Sequence, residues 1–467
     1  MNRILSIVLF VVLSINLYGQ YDCLIKNITV IPMDHEMVMK NYDVLIRNGL
    51  ITDIRKNISI SSDELKIIDG SNKYLIPGLS DMHLHFWSDS TTLGLYLANG
   101  VTTIRCASGK KEYLEWSEKL SKNQMVGPML FVTTPLINDV SFIKEYIPEV
   151  FYNSLKKSKD IPQYAGEEVF LVSDFTDMVQ SVRSFLSDGY CSLKSYSSLT
   201  KKEFKNLCMA AEKYNMKVSG HLPWQVPLDS AIVWGMDELM HLEELRFQFY
   251  TNTKNGLSNA TIDTAGLDAI AKKLAENNIS VTTTISLNQS FVDRNNDEDV
   301  YFGRPEMKFL YPKTFDFYKE NNGHPNYPER ELGLLKQILV ALNKNNVNVI
   351  LGTDAQGMSD VHGFTVHDEI ALLVENGLTP FEALETATIN AAKTMGQNDW
   401  GIIKENCRAN LLILEKNPLE NIENTKSIFG VFKDGIYYSK IDLNNLLDNI
   451  FTFRQNNDKL ITPMEGR

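Results

Sequence analysis

Two histidines one residue apart, His83 and His85, close the run Tyr74-Leu-Ile-Pro-Gly-Leu-Ser-Asp-Met-His-Leu-His-Phe86. Alternate side chains of a β-strand point to one face, so both imidazoles can converge on a single ion. Two neutral imidazoles on a rigid strand are the start of a zinc site. Similar groups recur downstream, each at the end of a predicted strand. His221 ends Met216-Lys-Val-Ser-Gly-His, His241 ends Met236-Asp-Glu-Leu-Met-His, and Asp354 ends Val349-Ile-Leu-Gly-Thr-Asp. One such histidine alone reads as a packed or surface residue. Four at equivalent strand ends, out of eight in the chain, read as ligands. A carboxylate at 354 can bind the ion and hold the proton of a metal-bound water, whose pKa the ion lowers toward ~7. Its plain alternative is a helix N-cap.

Lys194, in Tyr190-Cys-Ser-Leu-Lys-Ser-Tyr196, stands at another strand end. An ammonium cannot ligate a cation. Burial near metals lowers a lysine's pKa, and a neutral amine can take up carbon dioxide as an anionic carbamate whose two oxygens bridge two metals. A surface or salt-bridged lysine is the commoner case. Tyr196, two residues on along the same strand face, is a candidate for a substrate carboxylate, with a core tyrosine as the alternative. His362 and His367 flank Gly363-Phe-Thr-Val after Asp354, and His362 is the one expected to reach the site. Arg105 is a third substrate-binding candidate, against an internal salt bridge. His35 and His324 read as surface residues. Cys106 and Cys191 lie near strand ends but lack the paired base of a nucleophile.

These groups need a scaffold that brings strand ends together. Candidate strands fall at 81–85, 101–105, 129–133, 191–194, 217–221, 238–241, 281–285 and 347–352, with helical patterns such as 202–214, 264–276 and 329–344 between them. Eight strands alternating with helices predict a (β/α)8 TIM barrel, whose active site lies at the C-terminal strand ends. Two long polar connections, 136–178 and 288–330, would emerge on that face as walls, a lid or mere surface elaboration. Thr379-Pro-Phe-Glu382 has the form of a capping box with proline at the first helical position. Asn48-Gly49 and Asp434-Gly435 each sit between apolar runs, a strong hairpin signal. Small β-rich pieces at both ends predict a composite β-sandwich domain. The expected organisation is a signal peptide at 1–19, β-sandwich segments at 20–77 and 399–441, the barrel at 78–398 and a tail at 442–467, a short helix with a polar end.

The net charge of −12 and pI near 5.3 speak against a nucleic-acid partner, which would need a basic surface. Arg3, an apolar stretch from Ile4 to Leu17 and Tyr18-Gly19-Gln20 form the pattern of a secretory signal. The stretch is too short, and too interrupted by Ser6, Ser14 and Asn16, for a stable membrane span. Export to the periplasm or the medium is expected. A lipid anchor on Cys23 is the lesser alternative, because Gln20-Tyr21-Asp22 lacks a small apolar lead-in. Five scattered cysteines without a C-x-x-C predict buried free thiols, with room for one bridge.

The chain resembles the amidohydrolase superfamily, in its imidazolonepropionase-like branch that includes metal-dependent dipeptidases. The resemblance rests on Leu75-Ile-Pro-Gly-Leu-Ser-Asp-Met-His-Leu-His85, Asn99-Gly-Val-Thr-Thr-Ile-Arg105, Leu193-Lys-Ser-Tyr196, Gly220-His-Leu-Pro223, His241-Leu-Glu-Glu244, Leu351-Gly-Thr-Asp-Ala355 and Asn376-Gly-Leu-Thr-Pro-Phe-Glu-Ala-Leu384. Gly401-Ile-Ile and Leu411-Leu-Ile-Leu-Glu-Lys-Asn-Pro-Leu419 are similar to the family's return to its β domain, so the likeness spans the chain in order. It implies that His83, His85 and Asp354 hold one metal and His221 and His241 a second. It further implies that carbamylated Lys194 and a hydroxide bridge them, with Asp354 passing a proton to the leaving amine. Zinc is the default for imidazole and carboxylate ligands. The chain departs from the family pattern at Cys106 (usually Asp), at Met240 (usually Glu) and at Asn406-Cys-Arg-Ala-Asn410 (usually Gly-Lys-x-Ala-Asp), none of which removes a ligand. The resemblance implies hydrolysis of an amide-type C–N bond in a small molecule, a dipeptide or N-acyl amino acid above all. The alternatives are a one-metal deaminase or cyclic-amide or lactone hydrolase using His83, His85, His221 and Asp354, and an inactive barrel that binds without catalysis.

Overall fold

The computed structural model describes residues 22–60, 65–86, 89–144, 153, 167–251, 260–320, 329–355 and 360–457. The signal-type stretch 1–19 and His324 lie outside these. Strands β1 (Cys23–Val30), β2 (Met39–Arg47), β3 (Leu50–Arg55), β4 (Lys66–Asp69) and β5 (Tyr74–Pro77) come first. They are followed by β6 (Leu79–Leu84), β7 (Val101–Cys106), β8 (Met129–Val132), β9 (Leu136–Asp139), β10 (Val169–Val172), β11 (Ser192–Ser195), β12 (Lys217–Gly220) and β13 (Glu238–Met240). A two-strand ribbon of β14 (Tyr250–Thr251) and β15 (Thr261–Ile262) precedes β16 (Ser280–Thr282) and β17 (Val349–Ile350). The chain returns with β18 (Leu411–Leu414), β19 (Ile428–Lys433) and β20 (Ile436–Ser439).

Both chain ends build one sheet, in the order β20-β19-β18-β5-β1-β2-β3 with β4 beside β1. Strands from both ends thus share one eight-stranded sheet that branches at β1, which does not by itself make the sandwich expected from the sequence. Its two hairpins turn at Asn48-Gly49 (φ +50°, +79°) and Asp434-Gly435 (φ +49°, +78°). Positive φ at both central residues gives the turn whose twist matches the flanking strands. Strand β18 shows why its run is wholly apolar. Leu411 and Ile413 enter the core of the terminal sheet with Ile25, Val44 and Phe432, whereas Leu412 and Leu414 enter the core of the barrel-type domain. Burying each such side chain contributes roughly 1.5–3 kcal/mol, so this one strand joins two hydrophobic cores.

All eight strands expected between 81 and 352 form, in parallel. They are grouped as β6-β7-β8 and as β10-β9-β11-β12-β13-β16-β17 rather than as one unbroken ring. Backbone hydrogen bonds span the two gaps. Cys191 N–H donates to Val132 O (2.8 Å) between β8 and β11, and Met82 N–H donates to Leu351 O (3.0 Å) between the chain after β17 and β6. The helices expected at 202–214, 264–276 and 329–344 are Lys201–Tyr214, Leu267–Glu276 and Glu329–Lys344. The capping box at Thr379 forms in both directions.

The long connections differ from expectation. The first contains β9 and β10, which extend the sheet past β11. The strand expected at 281–285 stops at Thr282, and Ile285 starts a helix to Asn296. Further helices at Glu298–Phe302 and Pro312–Glu320 bury Tyr301, Phe302 and Tyr318 with Leu95, Val361 and Ile450. Polar composition hid these apolar residues, which recur at helical rather than strand spacing. The tail helix, Lys440–Asn456, is longer than expected and packs Ile450 on the helix Thr91–Ala98 and on this insertion. None of the five cysteines is in a disulfide. Among the described residues no helix is long and apolar enough to cross a membrane.

Candidate metal centre

Strand β6 delivers His83 at its end and His85 one residue beyond, and β17 leads through Gly352 to Asp354. A Cβ at Gly352 would lie 2.6 Å from the Cβ of His83, so only glycine lets the two chains approach this closely. Asp354 N–H donates to His83 O (2.7 Å), and Asp354 takes a left-handed φ of +56°. His241 has φ +98° and Thr284 φ +56°. Such conformations cost of order 1–3 kcal/mol each in non-glycine residues and persist where surrounding structure imposes them. Three sit in one cluster here.

Asp354 Oδ1 is 3.0 Å from His85 Nε2 and 3.5 Å from His83 Nε2. The His83 and His241 ring centroids are 4.4 Å apart, those of His221 and His241 4.8 Å, and those of His83 and His85 5.4 Å. All four imidazoles and the carboxylate thus meet at one end of the strands, as the sequence implied. One ligand atom each from His83, His241 and Asp354 all lie within 4.8 Å of one another. His83 is fully buried, and among the described residues neither of its ring nitrogens has a hydrogen-bond partner. A buried polar group left so costs ~1–3 kcal/mol unless something else satisfies it. A cation does so, and the donor set of imidazoles and a carboxylate fits a zinc-type ion.

The remaining imidazole nitrogens are held from behind. His85 Nδ1 meets Ser108 Oγ (2.7 Å), and His241 Nδ1 meets Thr284 Oγ1 (2.9 Å). His221 Nδ1 lies 2.8 Å from Glu244 Oε1 and 3.2 Å from Ser197 Oγ. Where Nδ1–H donates to such a group, Nε2 carries the lone pair that a metal takes. Burial, with the neighbouring Lys194 and the other imidazoles, pushes His83 and His221 well below the usual histidine range, and His241 likewise, so the rings are neutral. Burial alone would raise Asp354. Its hydrogen bond and charge interaction with His85, helped by His241 and Lys194, instead hold it below the usual carboxylate range. Burial raises Glu244 to about 7 against the Leu222 N–H and Lys194.

Lys194, on β11, is fully buried and donates to Met240 Sδ (3.0 Å). Burial pulls its amine down to about 8, partly opposed by Asp354. Met240, one departure from the family pattern, therefore lies directly against this amine. Cys106, another, is buried with its thiol on Ser108 O, beneath the hydroxyl that holds His85.

Of the three substrate-binding candidates, Tyr196 alone stays at the opening. Its ring is 4.5 Å from that of His221 and only partly buried. Arg105 does not face substrate. It is inside the barrel, in a two-pronged pair with Glu238 (Nη1 to Oε2 2.7 Å), and donates from Nε to Met82 O (2.8 Å). A cation on the last-but-one residue of β7 that points inward must find a partner within the sheet, and Glu238 supplies it. His362 is likewise not at the opening. It is buried behind His85, Nε2 to His85 O (2.9 Å), and burial pushes it down to about 3. His367 bridges Thr425 and Asn99, and His35 is exposed.

Sequence reasoning missed the supports: Ser108, Ser197, Glu244, Thr284 and Asp81. Buried Asp81 accepts from the N–H groups of His83 (3.2 Å) and Thr353 (3.1 Å) and from the Thr353 hydroxyl (2.6 Å), locking β6 to the Asp354 turn. Glu244 lies three residues after His241 yet serves His221, and no spacing rule would pair them.

Comparison with known proteins agrees with this geometry. A model described as "Amidohydrolase family" matches residues 193–437, just over half of the chain. A 5-methylthioadenosine/S-adenosylhomocysteine deaminase from Caldicellulosiruptor saccharolyticus is 21% identical over 433 residues, 85% of this chain and 86% of the relative. Ochratoxinase from Aspergillus niger is 22% identical over 455 residues, 87% and 84% of the two chains. The solved structure of a Xaa-Pro dipeptidase with bound methionine superposes with a TM-score of 0.67 at 20% identity, covering 90% of this chain and all of that one. The domain between the terminal strands is accordingly of the TIM-barrel type. The chain belongs to the amidohydrolase family, whose members are metal-dependent, and is a hydrolase acting on carbon–nitrogen bonds.

Proposed function

We propose that this protein is an exported amidohydrolase that uses two zinc ions to cleave the amide bond of a dipeptide or N-acyl amino acid. The observation that carries the reading is Lys194: a fully buried lysine whose amine, lowered to about 8, stands among the neutral rings of His83, His221 and His241, with His85 and Asp354 beside them. A lysine so placed has no structural need of its charge, and as a carbamate it would link a site of His83, His85 and Asp354 to one of His221 and His241. The ions, when bound, would supply Lewis acidity toward the amide carbonyl and acidify water at neutral pH. Asp354 would take up the proton of the attacking water and return it to the leaving amine. Tyr196, beside His221, would hold the substrate carboxylate. Export rests on the signal-type pattern of residues 1–19.

A second reading has its own observation. His83, His241 and Asp354 form the tight trio, while Lys194 is engaged by Met240. That arrangement supports one metal and a deaminase-type reaction with Lys194 unmodified. Purified protein, offered dipeptide, N-acyl amino acid, lactone and aminopurine panels, should release amine from the first two with about two equivalents of metal. One equivalent, with ammonia released from aminopurines instead, would replace the first reading by the second. No turnover on any panel would favour a binding role.

A further inference from the structure

The helix that begins at Ile285 has an unusual start. Thr284 occupies its N-cap position, where a threonine hydroxyl ordinarily accepts from the second or third backbone N–H of the helix. Here the Thr284 side chain makes no such cap; its hydroxyl is 2.9 Å from His241 Nδ1. The helix is capped from outside. Glu369, fully buried on the helix Phe364–Glu375, accepts from Ile285 N–H (3.0 Å) and Ser286 N–H (2.6 Å), one on each carboxylate oxygen. Thr284 itself is held at φ +56°, with its N–H on Gly352 O (3.0 Å).

We propose that Glu369 is a positioning residue for His241, acting through Thr284. By taking over the cap, it releases the threonine hydroxyl to accept from His241 Nδ1–H. That bond turns the Nε2 lone pair of His241 toward His83 and Asp354. The carboxylate also pins the two residues after Thr284, so the strained backbone that aims the hydroxyl cannot relax into an ordinary N-cap. The inference rests on the metal-site reading above and extends it to a residue with no place in the ligand set.

The test is a double-mutant cycle on the full-length protein, read as zinc affinity by competition with a chromophoric chelator and as the visible spectrum of the cobalt-loaded form. Glu369→Gln keeps one acceptor but turns an amide N–H₂ against a backbone N–H. It should weaken zinc binding about tenfold and alter the cobalt bands, as loss of a group supporting a ligand does. Thr284→Val should weaken binding by a similar factor, and Thr284→Ser should restore it. In the Thr284→Val background, Glu369→Gln should add little, because residues acting through one contact are not additive. A full tenfold loss in that background, or a lowered melting temperature with zinc affinity unchanged, would reduce Glu369 to a helix cap. Should Glu369→Gln fail to fold, Thr284→Val with wild-type zinc affinity overturns the proposal alone. Wild-type protein that takes up no zinc would overturn the metal-site reading instead.

Discussion

Two basic side chains are buried in the same barrel interior, and their surroundings could hardly differ more. Arg105 is matched on both prongs by Glu238, which also accepts from Thr282 Oγ1 (2.6 Å). Burial would lower the arginine's pKa, but Glu238 outweighs it, and the net shift is upward. Among the described residues Lys194 has no ion-pair partner; its amine meets a thioether, and burial prevails over the more distant Asp354, Glu238 and Glu244. The positive charge of Arg105 itself helps keep Lys194 low. A paired guanidinium is structural because it cannot change its charge. A lysine without a pairing carboxylate, in a cluster of ligands, is poised to lose its proton and react.

The widest separation should come from substituting each. Lys194→Ala is expected to cut amide hydrolysis by about 10³-fold, the scale of losing a main electrostatic group of a catalytic site, and to leave about one equivalent of metal. Removing a charge with no pairing carboxylate should barely alter the denaturation midpoint. Retained activity would erase the functional half of the contrast. Glu238→Gln is expected to do the opposite. It strands a buried guanidinium, which costs ~3–5 kcal/mol, while the folded fraction keeps its metal. Urea titration and metal analysis of the same preparation measure both, and a destabilisation under about 1 kcal/mol would show that Arg105 is not dependent on its partner.

The same contrast marks where the sequence could be read and where it could not. The candidate ligands were legible because each ends a predicted strand, and a barrel makes strand ends converge. His83, His85, His221, His241 and Asp354 needed no knowledge of what lies behind them. Arg105 and His362 were misplaced because their roles depend on which way a side chain turns from the strand end. Glu238 is far from Arg105 in the chain, and His362 turns back to the His85 carbonyl. Glu244, Thr284 and Glu369 were invisible for the same reason: each acts on a residue brought near only by the fold. In the scaffold, turns and caps were readable from local chemistry at Asn48-Gly49, Asp434-Gly435 and Thr379. The helical insertion after β16 was not, since its apolar residues face Leu95 and Ile450, on elements remote in sequence.

Arg454, on the tail helix, extends the comparison to a buried cation whose hydrogen bonds go to neutral groups. It donates to Phe309 O (2.6 Å), Thr91 Oγ1 (3.1 Å) and Thr92 Oγ1 (2.9 Å), and burial lowers its pKa despite Asp89 nearby. It joins the tail to the helix that follows the His85 turn. Arg454→Met is expected to cost about 2 kcal/mol, less than loss of the Glu238 pair, because the freed acceptors are uncharged. Zinc affinity should be unchanged. A loss of zinc affinity in a folded variant would instead tie the tail to the metal site.

Asp360 gives the most diagnostic effect, since it lies between the two extremes. It is buried, takes a hydrogen bond from Ser290 Oγ (2.7 Å), and has its arginine, Arg304, at 3.9 Å, beyond a tight ion pair. Burial wins over that distant cation and raises the carboxyl from 3.8 to about 7. The folded protein therefore holds this proton in a pH range where the unfolded chain has lost it. Its contribution to stability is full below pH ~4 and declines as pH rises through about 7. Asn mimics the protonated form, so in urea titrations Asp360→Asn should match the wild type only near pH 4 and below, gain on it between about pH 4 and 7, and gain little more above that. A difference that stays constant with pH would mean that Arg304 at 3.9 Å already neutralises Asp360 as fully as Glu238 neutralises Arg105. Distance to the partner would then not be what separates a structural charge from a labile one in this barrel.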